Sequence, residues 1–201
     1  MKDDSTRGLT AETVEQYRPS ILNLANQLTI LRIVFVPVFV ILLVYNELGW
    51  ALAVFLAAAL TDGLDGLIAR QFGQKTSIGA VLDPIADKLL MSCSIVLLAL
   101  PQMGFVNSVP FWLMLLVIFR DAFILLGSLA FILTYGFRVF PPSWAGKVST
   151  TLQLVTLVAV LFYNWLGVFQ PGLAFLFILT GLVTAVSGVQ YLYMVRNLFE
   201  G

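Results

Sequence analysis

The sequence predicts an all-α fold: a polytopic membrane protein with six transmembrane helices and both termini on the cytoplasmic side. Three observations indicate this class. Of the 201 residues, 60% are hydrophobic and only 11% are charged; residues 89–119 and 148–195 contain no charged side chain; and among the loops, only alternate ones carry Lys or Arg. Because a spanning helix needs about 20 apolar residues, each uncharged stretch is long enough for more than one pass.

Polar residues, glycines and prolines divide the apolar sequence into six segments, and such residues are typical of helix ends. The breaks fall at residues 46–49, 73–75, 101–110, 135–143 and 164–172. The helices are therefore predicted at about 28–46, 50–70, 78–100, 110–134, 144–164 and 172–195. Residues 1–20 form a polar N-terminal segment, partly disordered or an interfacial helix, and residues 21–201 form the six-helix domain.

The cations predict the orientation of the chain, since cytoplasmic loops are enriched in Lys and Arg. The intervening loops contain no Lys or Arg. We therefore expect a multi-pass protein of a bacterial inner membrane, or of an organellar inner membrane, whose inner face carries both termini. The cations that mark this face are Lys2, Arg7, Arg18, Arg70, Lys75, Arg138, Lys147 and Arg196.

Composition excludes several kinds of function. Eleven Lys and Arg balance eleven Asp and Glu, so the chain has no overall basic field for binding nucleic acid. It contains no His, which removes imidazole as a base, a nucleophile or a metal ligand. Its single Cys permits no internal disulfide and no thiolate zinc site, which needs several sulfur ligands.

Four aspartates lie inside the second and third apolar spans, where an ionised group costs roughly 2.5–3.5 kcal/mol on insertion scales. Asp62 and Asp65 belong to the second predicted helix, and Asp83 and Asp87 to the third. Spacings of three and four residues place each pair on one helical face. At about 1.5 Å per residue, the first pair lies about 12 and 7 Å from the inner end of its helix and the second about 7 and 13 Å. The short connecting turn makes the helices antiparallel neighbours, so we expect the carboxylates to converge in one pocket.

Four clustered carboxylates cannot all remain ionised without cations that neutralise them. A site of oxygen ligands without His or Cys selects hard ions such as Mg²⁺, Mn²⁺ or Ca²⁺. We therefore predict one or two divalent ions. Arg70, Lys75 and Lys147 place cations beside the pocket, where they can hold phosphate oxygens. Metal ions, carboxylates and basic residues together are the components of phosphoryl transfer.

The segment that contains these aspartates resembles the signature of the CDP-alcohol phosphotransferase family. It reads Asp-Gly-Leu-Asp-Gly-Leu-Ile-Ala-Arg from residue 62, followed by Gly79, Asp83 and Asp87. Residues 26–32 and 146–153 are also similar to that family, and the resemblance covers about residues 20–195. It implies a six-helix enzyme that is embedded in membrane lipid and is usually a homodimer. Such an enzyme transfers a phosphatidyl group from CDP-diacylglycerol to an alcohol and releases CMP.

The resemblance also implies roles for individual residues. Asp62, Asp65 and Asp83 are expected to bind Mg²⁺ or Mn²⁺. Asp87 is expected to bind the metal and to act as the general base that accepts the proton of the attacking hydroxyl. No nucleophilic side chain with an activating base is evident, so we favour direct displacement. The residues expected to line the CDP pocket are Gly66, Ala69, Arg70 and Gly79.

The acceptor alcohol depends on weaker signals. Lys147 and Arg120 resemble basic residues with which the family holds an acceptor's phosphate. At the positions equivalent to Arg120 and Asp121, phosphatidylglycerophosphate synthases usually have Arg-Glu, followed about seven residues later by a second Arg. This chain has Arg120-Asp121 and, at the later position, Ser128. That segment is more similar to eukaryotic-type cardiolipin synthases. We therefore expect phosphatidylglycerol as acceptor and cardiolipin as product, with glycerol 3-phosphate as the alternative.

Other interpretations remain open for these charges. Arg120 either contacts the acceptor or forms a buried ion pair with Asp121. Lys88 either extends towards the membrane surface or ties down the third helix. Intramembrane acidic residues also mark ion pathways, so a divalent-cation carrier is the competing function. Such a carrier has no use for Arg70 and Lys147, and the outer halves of the second and third helices contain no Asp, Glu, Lys or Arg.

Overall fold

The computed structural model describes the backbone of residues 24–72, 79–135 and 144–199, and the side chains of residues 31, 33–61, 88–127 and 144–194. Within this part of the chain there are six α-helices and no β-strand, which confirms the predicted all-α class and the number of helices. The helices are α1 Leu24–Val44, α2 Leu48–Phe72, α3 Gly79–Ala99, α4 Phe111–Tyr135, α5 Trp144–Trp165 and α6 Leu173–Phe199.

Two helices end at a residue with left-handed backbone conformation, and in each case the residue is Asn or Gly. Asn46 has φ of 61°, and its N–H donates to Leu43 O at 3.0 Å while the Glu47 N–H donates to Leu42 O at 2.8 Å. This is the Schellman pattern, which uses Gly or Asn at the left-handed position. Gly167, with φ of 66°, ends α5 in the same way. The motif unwinds residues 45 and 46, and α1 therefore ends at Val44 rather than at the predicted residue 46.

The other differences in helix length also have local reasons. Pro101 begins a single 3₁₀ turn that ends at Met103, and α3 stops at Ala99 before it. In contrast, α2 continues past the predicted end at residue 70 to Phe72, and α6 continues past 195 to Phe199. Neither extension contains Gly or Pro, so a charged residue does not by itself end a helix.

The described helices pack mainly in a ring, in the order α1, α2, α5, α6, α4, α3 and back to α1. α1 packs against α2 and α3, α5 packs against α2 and α6, and α4 packs mainly against α6, with smaller contacts from α3 to α4 and α5. Phe39 of α1 and Phe55 of α2 are fully buried, with ring centroids 5.6 Å apart. Because α1 contacts both α2 and α3, it holds together the two helices that carry the four aspartates.

Hydrogen bonds close the end of the bundle that carries the turns after α1, α3 and α5. The buried Asn164 side chain accepts from the Asn107 N–H at 2.8 Å and donates to the Asn107 carbonyl at 2.8 Å. The Asn107 side chain donates to Val168 O at 2.8 Å and accepts from the Gln170 N–H at 2.9 Å. These bonds satisfy a buried loop backbone and fix the 100–110 loop to the end of α5.

The outer surface of the helices is apolar, which supports membrane association. Phe119 and Phe175 are each more than 70% exposed, and a soluble monomer rarely exposes a large contiguous apolar surface. Two of the helices in the described residues, over Trp144–Trp165 and Leu173–Met194, are long and apolar enough to cross a membrane.

Candidate active site

The four aspartates lie on helical backbone, as predicted. Asp62 and Asp65 belong to α2 and Asp83 and Asp87 to α3, while their side chains lie outside the described residues. Counted from Phe72, the first pair lies about 15 and 10 Å along α2, and counted from Gly79 the second lies about 6 and 12 Å along α3. The levels agree within about 4 Å. The convergence of the carboxylates stays a prediction, consistent with the shared packing of both helices on α1.

The residues expected at CDP occupy the ends of the same two helices. Gly66, Ala69 and Arg70 lie in the last two turns of α2, and Gly79 is the first residue of α3. Their side-chain positions, like the whole of Lys75, lie outside the described residues. Their role in nucleotide binding stays a prediction.

Arg120 forms the buried ion pair that was one of its two interpretations. Its Nη1 donates to Asp121 Oδ1 at 2.7 Å, and the two side chains are 7% and 8% exposed. Its Nη2 donates to Ser187 Oγ at 2.7 Å and, more weakly, to Gly146 O at 3.5 Å. The buried Nε has no partner. Both Nη atoms are therefore engaged by the protein, and acceptor binding by Arg120 stays a prediction.

Lys88 ties the third helix to the fourth, the second of the two roles considered for it. Its Nζ donates to Asp121 Oδ2 at 2.8 Å, with 29% of its side chain exposed. Asp121 thus accepts from two cations, and the cluster of Lys88, Arg120 and Asp121 carries a net charge of +1. A buried excess of positive charge favours an anion nearby.

Lys147 lies in the first turn of α5 and is exposed. It follows Gly146, whose carbonyl lies 3.5 Å from Arg120 Nη2. The contact places the start of α5 at the level of the charged cluster. The N-terminus of a helix carries a partial positive charge, so the helix end adds to the positive potential of Lys147 and the cluster.

A polar seam that was not predicted from the sequence lies between α5 and α6. The Ser149 and Thr184 hydroxyls lie 3.0 Å apart, Gln153 Nε2 donates to both at 3.2 Å, and the Thr156 and Thr180 hydroxyls lie 2.7 Å apart. All five side chains are buried. The signal was available: these residues recur every three or four positions, and a polar stripe of that period marks a helix face inside a bundle.

A depression lies at the opposite end of the bundle from the aspartates. It is an open pocket of about 620 Å³ between the turn after α1 and the end of α5. Its lining includes Trp50 and Trp165, both more than half exposed, and the carboxylate of Glu47. It contains none of the residues that the sequence selected for catalysis.

Comparison with known sequences decides the family. A sequence model described as CDP-alcohol phosphatidyltransferase matches residues 22–187, which include all the candidate site residues. The chain belongs to the CDP-alcohol phosphatidyltransferase family. It is therefore a transferase of phospholipid biosynthesis, and the resemblance read from Asp62 to Asp87 is confirmed at the level of the family.

Several relatives are similar over most of the chain. A CDP-diacylglycerol–glycerol-3-phosphate 3-phosphatidyltransferase of Sodalis glossinidius is 37% identical over 89% of this chain and 98% of its own length. A probable phosphatidylglycerophosphate synthase of Mycobacterium tuberculosis is 35% identical over 87% of this chain and 82% of its own. A probable CMP-forming cardiolipin synthase of Drosophila melanogaster is 31% identical over 94% of this chain and 62% of its own.

Proposed function

We propose that this enzyme transfers the phosphatidyl group of CDP-diacylglycerol to glycerol 3-phosphate, forming phosphatidylglycerophosphate and CMP. The observation that supports this acceptor most strongly is the full-length similarity to the Sodalis transferase, whose name specifies glycerol 3-phosphate. Phosphatidylglycerol, the acceptor first expected from Arg120-Asp121 and Ser128, has less support. Its representative is less identical and is matched over a smaller share of its length. Family membership leaves a divalent-cation carrier without support.

The charges of the described residues favour the same acceptor. The cluster of Lys88, Arg120 and Asp121 has a net charge of +1, and the exposed Lys147 at the start of α5 adds another cation. A phosphate monoester carries nearly two negative charges at neutral pH, whereas the phosphodiester of phosphatidylglycerol carries one. In this proposal Lys147 contacts the phosphate of the acceptor directly. The Nη atoms of Arg120 bond Asp121 and Ser187, so Arg120 contributes its positive charge without touching the phosphate.

The reaction is an in-line displacement at the phosphorus that carries the diacylglycerol. A hydroxyl oxygen of glycerol 3-phosphate forms a bond to this phosphorus while the bond to the bridging oxygen breaks, and CMP leaves with the electron pair. Asp87 takes the proton of the attacking hydroxyl. Gly66, Ala69 and Gly79 leave room for the nucleotide, and Arg70 contacts its phosphates.

The family resemblance implies a divalent metal, and the donor set fits one. Asp62, Asp65, Asp83 and Asp87 offer only carboxylate oxygens, the ligands of Mg²⁺ and Mn²⁺. Each pair lies on helical backbone with a spacing of three or four residues, which places both members on one face. These four residues hold one or two ions, whose chemistry when bound is to neutralise charge on the pyrophosphate and on the departing CMP.

We also propose that all six helices cross the membrane, with both termini and the aspartates at the cytoplasmic face, and that the enzyme is a homodimer. The distribution of Lys and Arg supports this orientation. The turns after α1, α3 and α5 lie together at the other end of the bundle, where Asn107 and Asn164 join two of them.

Release of CMP from CDP-diacylglycerol tests the proposal directly. Purified enzyme with Mg²⁺ or Mn²⁺ is supplied with glycerol 3-phosphate or phosphatidylglycerol in separate reactions. We expect CMP only with glycerol 3-phosphate and only with the metal. CMP release with phosphatidylglycerol alone would show that the acceptor is wrong, and no release with either acceptor would show that the assigned activity is wrong.

A further inference from the structure

The ion pair between Lys88 and Asp121 adds charge near the acceptor in the reaction described above, but no positioning role has been assigned to it. Lys88 Nζ donates to Asp121 Oδ2 at 2.8 Å, Asp121 Oδ1 accepts from Arg120 at 2.7 Å, and Arg120 donates to Ser187 at 2.7 Å. A continuous series of polar contacts therefore runs from α3 through α4 to α6. Lys88 is the α3 end of that series.

Besides the ion pair, a backbone hydrogen bond links the described part of α3 to its surroundings: the Val109 N–H of the 100–110 loop donates to Leu98 O at 2.9 Å, at the end of α3 away from Asp83 and Asp87. Ser94, a buried polar side chain of α3, donates to Leu90 O of the same helix at 2.7 Å. The described side chains of α1 are all apolar, so they offer α3 only apolar contacts, and Leu98 of α3 is buried in the apolar core. Apolar contacts are non-directional, whereas a charge-assisted hydrogen bond has a defined length and direction. The ion pair is thus the directional link between this part of α3 and a neighbouring helix.

The position of Lys88 makes this link important for the aspartates. At about 100° per residue, Asp87 lies about 100° and Asp83 about 140° from Lys88 around the helix axis. The two acidic positions therefore share a face of α3 that differs from the face turned towards Asp121. A constraint on one face fixes the orientation of the other.

A small rotation has a large effect at a metal site. Side-chain ends lie about 5–6 Å from a helix axis, so a rotation of about 20° moves a carboxylate by about 2 Å. Metal–ligand distances tolerate only about 0.2 Å. Rotational freedom of α3 that is harmless to apolar packing is therefore sufficient to disrupt a site that α2 and α3 share.

We propose that Lys88 and Asp121 are positioning residues, whose ion pair fixes the rotation of α3 and thereby places Asp83 and Asp87 for binding the divalent ion. This inference rests on the proposed function, because it takes these aspartates as metal ligands. It assigns to Lys88 a role in metal affinity without contact with the metal.

Electrostatics and positioning predict opposite signs for removal of the lysine. Lys88→Met removes a positive charge beside an acidic site, so a purely electrostatic role strengthens binding of a divalent cation. The Arg120 pair with Asp121 remains in this variant. Loss of positioning weakens binding instead. Lys88→Arg keeps both the charge and a donor for Asp121, and Ser94→Ala is a matched control that removes a buried α3 hydrogen bond internal to the helix.

The experiment is a titration of the full-length protein in detergent with Mn²⁺, in which free Mn²⁺ is measured by electron paramagnetic resonance well below the melting temperature. We expect the Kd for Mn²⁺ to rise at least fivefold in Lys88→Met and to stay within threefold of wild type in Lys88→Arg and Ser94→Ala. A smaller rise, or tighter binding, in Lys88→Met overturns the inference. A Lys88→Arg protein as weak as Lys88→Met overturns it as well.

Two further measurements separate the other outcomes. The melting temperature without metal reports a merely structural role, which lowers stability but leaves the Kd for Mn²⁺ unchanged, and that result also overturns the inference. If Lys88→Met does not fold, Lys88→Gln is titrated with the same fivefold criterion. The proposed metal site itself is contradicted if the wild-type protein binds no Mn²⁺, or if the Asp83→Asn variant binds Mn²⁺ as tightly as wild type does. The positioning role falls with the site in either case.

Discussion

Removal of the Asp121 charge is the sharpest test of the buried charged cluster. Asp121→Asn keeps the size of the side chain but changes the net charge of the cluster from +1 to +2, because Lys88 and Arg120 both lose their anion. Arg120 is 7% exposed and Lys88 29%, so neither cation is fully solvated. Removing one partner of a buried pair costs about 3–5 kcal/mol, and the partial exposure of Lys88 favours the lower end, about 3 kcal/mol.

Thermal unfolding in detergent measures this cost. For a chain of about 200 residues, 3 kcal/mol corresponds to a fall in melting temperature of roughly 6–12 °C. Ser187→Ala is the control, since it removes a neutral acceptor of Arg120 at 2.7 Å and is expected to cost only about 1 kcal/mol. An Asp121→Asn protein that melts within 2 °C of wild type would refute the view that the cluster is a desolvated ion pair.

Three further predictions concern the two ends of the bundle. Asn164→Leu leaves the buried Asn107 N–H and carbonyl without partners, at about 1–3 kcal/mol for each group. The melting temperature is expected to fall, while the KM for CDP-diacylglycerol stays unchanged because this substrate binds at the other end of the bundle. A changed KM contradicts that placement. Lys147→Met is expected to raise the KM for glycerol 3-phosphate at least tenfold in steady-state CMP-release assays, and an equal rise for CDP-diacylglycerol would argue against an acceptor contact. Asp87→Asn is expected to lower kcat by at least about 100-fold in a protein that melts as wild type does; near-normal turnover would exclude Asp87 as the base.

Much of the fold follows from the sequence alone because the pattern is coarse and strong. The apolar segments are long, and their separators include Asn46, Pro101, Pro110 and Gly167, which end helices or precede them for known stereochemical reasons. The errors lie at the boundaries. The predicted end at Arg70 was too early, because α2 continues to Phe72 and a charged residue does not by itself end a helix.

The candidate site is predictable to a different degree. Two carboxylates spaced three or four residues apart in one helix are predicted to share a face, because helical periodicity relates residues close in sequence. The link between Lys88 and Asp121 joins residues 33 positions apart, and its existence depends on how α3 packs beside α4. Sequence spacing carries no information about that packing, so both interpretations of Lys88 and of Arg120 were open until the helices were placed.

The polar seam shows a third case, in which the signal was present but was not used. Ser149, Gln153 and Thr156 on α5 and Thr180 and Thr184 on α6 follow helical periodicity. Neutral polar side chains are less conspicuous in an apolar sequence than ionised ones, because inserting them into a membrane costs less than inserting an aspartate. Neutral polar residues with a 3.6-residue period are as informative about the buried face of a membrane helix as charged ones.

A competition between acceptors tests the central claim most directly. The purified enzyme receives CDP-diacylglycerol, Mg²⁺, glycerol 3-phosphate labelled with ¹³C, and unlabelled phosphatidylglycerol together, and the lipid products are identified by mass spectrometry. The account predicts phosphatidylglycerophosphate that carries the label, with no cardiolipin. Cardiolipin as the product, with the labelled glycerol 3-phosphate left unreacted, would contradict it.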